Sequence, residues 1–245
     1  MVSIGPFVTI WRRSNRKLLF ILTTLITALV LPGESRAAQR VTLRTDDGII
    51  LTATWYEPPA RGPAVILVHM LHRSRRDFEA LGSRLASEGI GALALDLRGH
   101  GDSQGSIGAD FAPMVADVKA ARRFLIGRSD VSGKIGLLGA SLGANLVALA
   151  AADDPGVASL ALLSPSLDYR GLRIETAMRK FGSRPVLMVV SDDDPYASRS
   201  AHDLEKGTRG REILSLTGAG HGSTMLERES SLMGSLVDWF RRTLL

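Results

Sequence analysis

Gly139-Ala140-Ser141-Leu142-Gly143 stands near the middle of the chain, reached by the apolar run Ile135-Gly136-Leu137-Leu138 and followed by Ala144-Asn145-Leu146-Val147-Ala148-Leu149-Ala150. This is Gly-x-Ser-x-Gly in the setting its chemistry needs, a buried strand turning sharply into a helix. Such a turn holds the serine in a strained backbone conformation, and small residues two positions to either side let strand and helix approach closely. The hydroxyl is then presented at the strand's carboxyl end beside a helix amino terminus. With a base and an acid it becomes a nucleophile; without them the segment is an ordinary glycine-rich turn.

The motif by itself is weak. Gly101-Asp102-Ser103-Gln104-Gly105 matches the same pattern, but it follows Arg98-Gly99-His100 rather than an apolar strand and runs on into Ser106-Ile107-Gly108-Ala109-Asp110, which reads as loop. Context therefore rejects Ser103 and keeps Ser141.

A serine hydroxyl needs a histidine to take its proton, and that histidine needs a carboxylate to fix its tautomer and stabilise its cation. Five histidines are available. His202 sits on a polar helix face, His69 ends a strand, His72 follows three residues later, and His100 lies in Arg98-Gly99-His100-Gly101. His221 is in the flexible run Gly218-Ala219-Gly220-His221-Gly222-Ser223, just after the last predicted strand, where a loop would hang over the sheet's carboxyl edge. It is the candidate base. For the acid, Ser191-Asp192-Asp193-Asp194-Pro195 follows the apolar strand Val186–Val190. Three neighbouring carboxylates are not all comfortably buried, so one points into the site and the others are solvated or cap a turn. Asp194 is favoured over Asp192 and Asp193, since it lies farthest along the loop and Pro195 restricts its backbone. The candidate order along the chain is nucleophile Ser141, acid Asp194, base His221.

The elements that must carry these residues can be read from pattern. Val41–Thr45 and Ile49–Tyr56 flank Asp46-Asp47-Gly48 and predict an antiparallel hairpin. The pattern then alternates: strand Ala64–His69, helix Arg76–Ser87, strand Ile90–Leu97, helix Asp110–Arg128, strand Lys134–Gly139. Strands Val157–Ser164 and Pro185–Ser191, helix Ala197–Lys206, strand Glu212–Leu216 and helix Ser231–Leu244 complete it. In the last helix Leu232, Leu236, Val237, Phe240 and Leu244 fall on one face. Strands apolar throughout are those buried on both faces of a mostly parallel sheet, and such sheets bind ligands outside their carboxyl ends.

The first residues read differently. Arg12, Arg13, Arg16 and Lys17 form a basic segment, Leu18 to Leu31 is uncharged and mostly apolar, and Pro32-Gly33 breaks the run before Ser35-Arg36-Ala37-Ala38. That order predicts a secretory signal peptide over residues 1–38, cleaved after Ala37 or Ala38, and a single domain over 39–245 in the periplasm or outside the cell. The alternative is an uncleaved N-terminal membrane anchor, although the apolar run is short of the roughly 20 residues a spanning helix needs. A twin-arginine reading of Arg12-Arg13 is disfavoured by Asn15 and Arg16. The formal charge of +5 resides mostly in this segment; the remainder carries 25 basic and 24 acidic side chains, so composition gives no support for nucleic-acid binding. The chain has no cysteine, which excludes disulfides, thiolate metal sites and a cysteine nucleophile.

From about Val41 to the end the chain resembles the α/β-hydrolase superfamily. Besides the serine turn, Leu95-Asp96-Leu97-Arg98-Gly99-His100-Gly101-Asp102-Ser103 is similar to the loop after the family's fourth strand. Ser191 to Asp194 fits its small-x-x-Asp acid loop, and Gly220-His221-Gly222 its histidine loop. Within the superfamily the chain is most similar to lysophospholipase/serine-aminopeptidase-like and dienelactone-hydrolase-like members. The resemblance implies an α/β-hydrolase fold with helices on both faces of the sheet and little or no lid domain. It also implies oxyanion donors at the backbone amides of Leu142 and Leu71. One departure stands out: many relatives have His-Gly after the third strand, whereas this chain has His69-Met70-Leu71-His72, so Met70 replaces a glycine beside the second donor.

The chemistry expected is acyl transfer to water: attack by Ser141, proton transfer through His221, and an acyl-enzyme released by water, with no metal or organic cofactor needed. Pro165 to Arg184 leaves room for one short helix such as Leu172–Phe181, so the site should be open to small-molecule or lipid-like esters or thioesters. Arg73, Arg75 and Arg76 have two readings, contact with an anionic substrate or headgroup and a solvated helix start. Tyr196 either meets substrate or packs. The same triad also serves acyl transfer to an alcohol or amine and amide or peptide cleavage. A non-catalytic binding protein on the same fold usually lacks a triad member, and none is missing here.

Overall fold

The computed structural model describes residues 1, 2 and 38–245. The predicted basic segment, apolar run and cleavage motif lie, apart from Ala38, outside the described residues. Among the described residues no helix is long and apolar enough to cross a membrane.

Residues 38–245 build one eight-stranded sheet. Its first two strands, β1 (Gln39–Arg44) and β2 (Ile50–Tyr56), are the predicted hairpin, antiparallel with Leu43 opposite Leu51. Then follow β3 (Gly62–Val68), β4 (Gly91–Leu95), β5 (Val131–Ala140) and β6 (Val157–Leu163). After a two-stranded ribbon of β7 (Asp168–Tyr169) and β8 (Leu172–Arg173) come β9 (Val186–Ser191) and β10 (Arg211–Leu216). The order across the sheet is β1-β2-β4-β3-β5-β6-β9-β10. β2 joins β4 antiparallel, and every pairing from β4 to β10 is parallel. The carboxyl ends of β3, β4, β5, β6, β9 and β10 therefore open on one edge.

Both faces of β3, β4 and β9 are covered, which is why these strands carry no alternation of polar residues, whereas edge strand β1 alternates exposed Arg40, Thr42 and Arg44 with Val41 and buried Leu43. On β3, Ala64, Ile66 and Val68 enter one apolar cluster while Val65 and Leu67 enter the other. The first cluster receives α2 (Val115–Ile126), α3 (Leu142–Ala151), α4 (Glu175–Phe181) and α5 (Pro195–Glu205). The second receives α1 (Glu79–Ser87), α6 (Met225–Arg228) and α7 (Ser230–Leu244), whose Leu232, Leu236, Val237, Phe240 and Leu244 are all buried as the spacing predicts.

Several predicted elements differ at their ends, three helix starts among them. The helix expected over Arg76–Ser87 begins as a 3-10 turn at Arg75–Phe78, its first turn capped by Ser74. The helix expected from Asp110 starts at Val115, because Pro113 sits in a preceding 3-10 turn over Ala112–Met114. The short helix expected over Leu172–Phe181 starts at Glu175, since Leu172 and Arg173 pair with Tyr169 and Asp168.

Two arginines tie down the loop after β4. Arg75 donates to the fully buried Asp96, through its amide at 2.7 Å and through its guanidinium, and reaches Asp102 at 2.8 Å. Arg98 donates to Asp117 from its amide at 2.9 Å and from its guanidinium at 2.8 and 2.6 Å, and to Asp47 at 2.7 Å. Ser103, the serine of the rejected motif, is a structural hydroxyl: it donates to Asp96 O at 2.7 Å and accepts from the Thr52 amide at 2.8 Å. Removing one partner of a buried ion pair leaves the other charge uncompensated. Arg98→Ala, which strands the fully buried Asp117, should lower urea-denaturation stability by about 3–5 kcal/mol. Arg40→Ala, which removes an exposed partner of Asp102, should change it by less than about 1 kcal/mol.

Candidate active site

The turn between β5 and α3 places Ser141 at φ +51°, ψ −114°, a conformation that residues with a side chain rarely adopt. Strain of this kind costs of order 1–3 kcal/mol and persists only where the surroundings impose it. Here they do. A side chain at Gly139 would overlap the Gly143 carbonyl, and one at Gly143 would overlap the carbonyl oxygen of Val68 on β3. The helix thus descends onto two strands at once. Ser141 is closed in by its amide, which donates to Leu163 O at 2.8 Å, and by its carbonyl, which accepts from Ala144 at 2.9 Å.

His221 meets this serine across 80 residues of sequence, its Nε2 lying 2.7 Å from Ser141 Oγ. Its Nδ1 lies 2.6 Å from Asp194 Oδ2. A carboxylate only accepts, so Nδ1 carries the proton, and Nε2 presents a lone pair to the serine hydroxyl. Asp194 caps α5, with Oδ1 accepting from the Ala197 amide at 3.2 Å while Oδ2 holds the histidine. Pro195, the first residue of that helix, stiffens the approach as anticipated. The histidine side chain is 48% exposed and the aspartate 14%, so the imidazole faces solvent and the carboxylate is sheltered.

Asp192 and Asp193 are exposed, as expected, yet they are far from idle. The Gly218 amide donates to Asp192 Oδ1 at 2.8 Å, Ala219 to Ser191 Oγ at 2.9 Å and Gly220 to Asp193 Oδ1 at 3.0 Å. His221 N donates to Thr224 Oγ1 at 3.2 Å and Gly222 N to Ser164 Oγ at 2.9 Å. Five consecutive amides are each taken by a side chain. Hydrogen bonds from Ser191 and the Gly220 amide hold the Asp193 carboxyl below its ordinary range. The loop can follow this path because Gly218, Gly220 and Gly222 all adopt positive φ. Sequence reading missed the parts played by Ser164 and Ser191; their signal was only their place at the ends of β6 and β9.

The segment after β3 forms a tight turn, the Arg73 amide donating to Met70 O at 3.2 Å, with His72 at φ +62°. Met70 does not prevent the turn; it is half-buried against the second apolar cluster. The central amides, including that of Leu71, are not used by the turn's own bond, and the first-turn amide of Leu142 has no acceptor within its helix. Behind the turn, His69 is fully buried. Its Nδ1–H donates to Met70 O at 2.8 Å and its Nε2 accepts from the Leu97 amide at 3.1 Å.

His100 is buried against His69, ring centroids 4.9 Å apart, and His202 bonds its own helix at Ser198 O. Neither approaches Ser141 through any hydrogen bond. Arg75 matches neither reading offered for it, being a buried structural cation; Arg73 is engaged with Asp77 and Glu227, and Arg76 is exposed. Tyr196 is half-exposed, its hydroxyl donating to Asp168 O at 3.3 Å, and so links α5 to the β7–β8 ribbon. Buried Asn145, one turn after Ser141, anchors that ribbon by donating to Ser166 O at 2.9 Å and Leu172 O at 2.8 Å.

A family model described as serine aminopeptidase, S33, matches residues 58–206, and the chain belongs to this family of α/β-hydrolase enzymes. The match includes Ser141 and Asp194 and ends before His221. Solved structures repeat the fold at low sequence identity. DcsB, determined in complex with its substrate analogue, superposes with a TM-score of 0.75 at 18% identity, covering 85% of this chain and 99% of that one. The dienelactone hydrolase from Anabaena variabilis gives 0.73 at 18% identity, over 85% and 99% of the two chains. The Pyrococcus furiosus esterase Pf2001 gives 0.71 at 18%, over 85% and 92%. No curated protein sequence matches the chain significantly.

Burial lowers the pKa of His69 from 6.5 to about 4. The unfolded chain therefore binds a proton here that the folded protein refuses, and this contribution to stability is present above pH 6.5 and lost as pH falls toward 4. Urea midpoints measured across that window should decline with acidity, and less steeply in His69→Gln.

Proposed function

We propose that the protein is an exported serine hydrolase that cleaves carboxylic ester or thioester bonds through Ser141, His221 and Asp194. The observation that carries this reading is the unbroken hydrogen-bond chain from Asp194 Oδ2 through the imidazole to Ser141 Oγ, at 2.6 and 2.7 Å. Ser141 attacks the carbonyl carbon as Nε2 takes its proton, and Asp194 stabilises the imidazolium. The amides of Leu142 and Leu71 receive the oxyanion. The imidazolium then protonates the leaving group, an acyl-enzyme forms, and water activated by His221 releases the acid.

An exposed base and a covering segment of one small ribbon and the short α4 favour small, accessible esters over substrates needing deep enclosure. The structural likeness to an esterase and a dienelactone hydrolase agrees with that class. Amide cleavage is the second reading, favoured by the family's description as serine aminopeptidase. Export follows from the order of basic segment, apolar run and small residues ending at Ala38. An intact mass lacking residues 1–37 or 1–38 is the expected outcome for protein recovered from the producing cell's exterior or periplasm; a full-length mass in the membrane fraction identifies an anchor.

Turnover of p-nitrophenyl acetate, butyrate and longer esters, beside aminoacyl p-nitroanilides, separates the two readings, and Ser141→Ala should abolish it along with fluorophosphonate labelling. Equal turnover in wild type and Ser141→Ala would remove the serine from the mechanism. Asp194→Asn retains the helix cap but favours the wrong imidazole tautomer, and should lower kcat by roughly 10³- to 10⁴-fold.

A further inference from the structure

The turn that offers the Leu71 amide and the segment that carries His221 come from distant parts of the chain, yet a charged cluster joins them. Arg73, the last residue of that turn, donates from Nε to both oxygens of Asp77 at 2.9 Å and from its terminal nitrogen to Glu227 Oε1 on α6 at 2.6 Å. From the other side Ser223, two residues beyond His221 and 1% exposed, donates its hydroxyl to Asp77 Oδ2. The Asp77 side chain is only 8% exposed and its amide is fixed to Ser74 O at 3.1 Å. Apolar contact runs alongside, for a Cβ at Gly222 would stand 2.7 Å from Met70 Sδ. One sheltered carboxylate thus accepts simultaneously from the oxyanion turn and from the histidine segment. Its bond to Arg73 is charge-assisted, of the kind that fixes geometry most strongly.

We propose that Asp77 is a positioning residue that sets the distance between the Leu71 amide and the imidazole of His221. The proposal rests on the Ser141, His221 and Asp194 reading. In that mechanism negative charge gathers on the carbonyl oxygen while the proton moves to Nε2, so donor and base must be in place in the same transition state. A misplacement of about 1 Å costs on the order of 100-fold in rate. Looseness between the two loops weakens contacts made only in the transition state and leaves ground-state binding alone. This also gives Met70 a place: where relatives have glycine, its side chain reaches the histidine segment and adds to the same tie.

The test is kcat, KM and Tm for Ser223→Ala, Asp77→Ala and the double variant, on an ester whose turnover by the wild type depends on Ser141. Ser223→Ala removes a single hydroxyl and should lower kcat about tenfold with KM nearly unchanged, a loss larger than its modest fall in Tm would explain. Asp77→Ala should lower kcat further, and the double variant should match Asp77→Ala, because Ser223 acts through Asp77 alone. If Asp77→Ala does not fold, Ser223→Ala decides the matter. Unchanged kcat in Ser223→Ala, a fall in Tm with kcat retained, or fully multiplicative losses in the double variant would overturn the inference while leaving the hydrolase reading intact. A wild type without Ser141-dependent turnover or labelling would overturn both.

Discussion

The close approach of α3 to β5 and β3 is the constraint on which the candidate site depends. Gly139 and Gly143 leave no side chain between helix and strands, so the helix amino terminus comes down until carbonyls and amides of three elements are in contact. Ser141, at the corner, has no relaxed conformation available and is driven to φ +51°. That strain is held by the sheet itself, since the serine amide is bonded to Leu163 on β6. The hydroxyl therefore stands at a fixed height above the carboxyl edge. Everything else at the site is arranged with respect to it.

The surrounding loops lack the regular bonding of strands and helices, and side chains replace it. The loop after β9 holds the histidine loop by three of its members, Ser191, Asp192 and Asp193, while the fourth, Asp194, takes the imidazole. The turn after β3 is bound to the histidine segment through Arg73, Asp77 and Ser223. The loop after β4 is bound to the hairpin and to α2 through Arg75 and Arg98. Charged and hydroxyl side chains near this edge act chiefly as anchors for backbone. This is why a run of three aspartates, awkward when viewed as a set of charges, is well accommodated: two of them accept the amides of Gly218 and Gly220.

Much of this was legible from residue order. The elbow, the hairpin and the alternation of strands and helices are encoded by backbone sterics and by apolar periodicity over a few residues, and both survive without tertiary context. Helix ends were less legible. The start of α4 moved because Leu172 and Arg173 found strand partners in Asp168 and Tyr169, a pairing with no local signature. Arg75 read as the solvated start of a helix or a contact for anions, because nothing near it in sequence shows that Asp96 lies against it, 21 residues away.

The sequence by itself determined the residue types available for chemistry and marked the Gly-x-Ser-x-Gly turn, because the motif and its flanking apolar runs lie within a few residues; the strain at Ser141 is held by β3 and β6. The sequence narrowed the candidate acid to three adjacent carboxylates, with Asp194 favoured, and named as candidate base the histidine that follows the last strand. Only the tertiary structure decided which carboxylate touches His221, how the turn at Met70 accommodates a side chain, and which arginines are buried. Those outcomes follow from the parallel register that brings the ends of β3, β4, β5, β6, β9 and β10 to one edge. Register is a property of whole strands packed on two apolar faces, and no short stretch of sequence contains it.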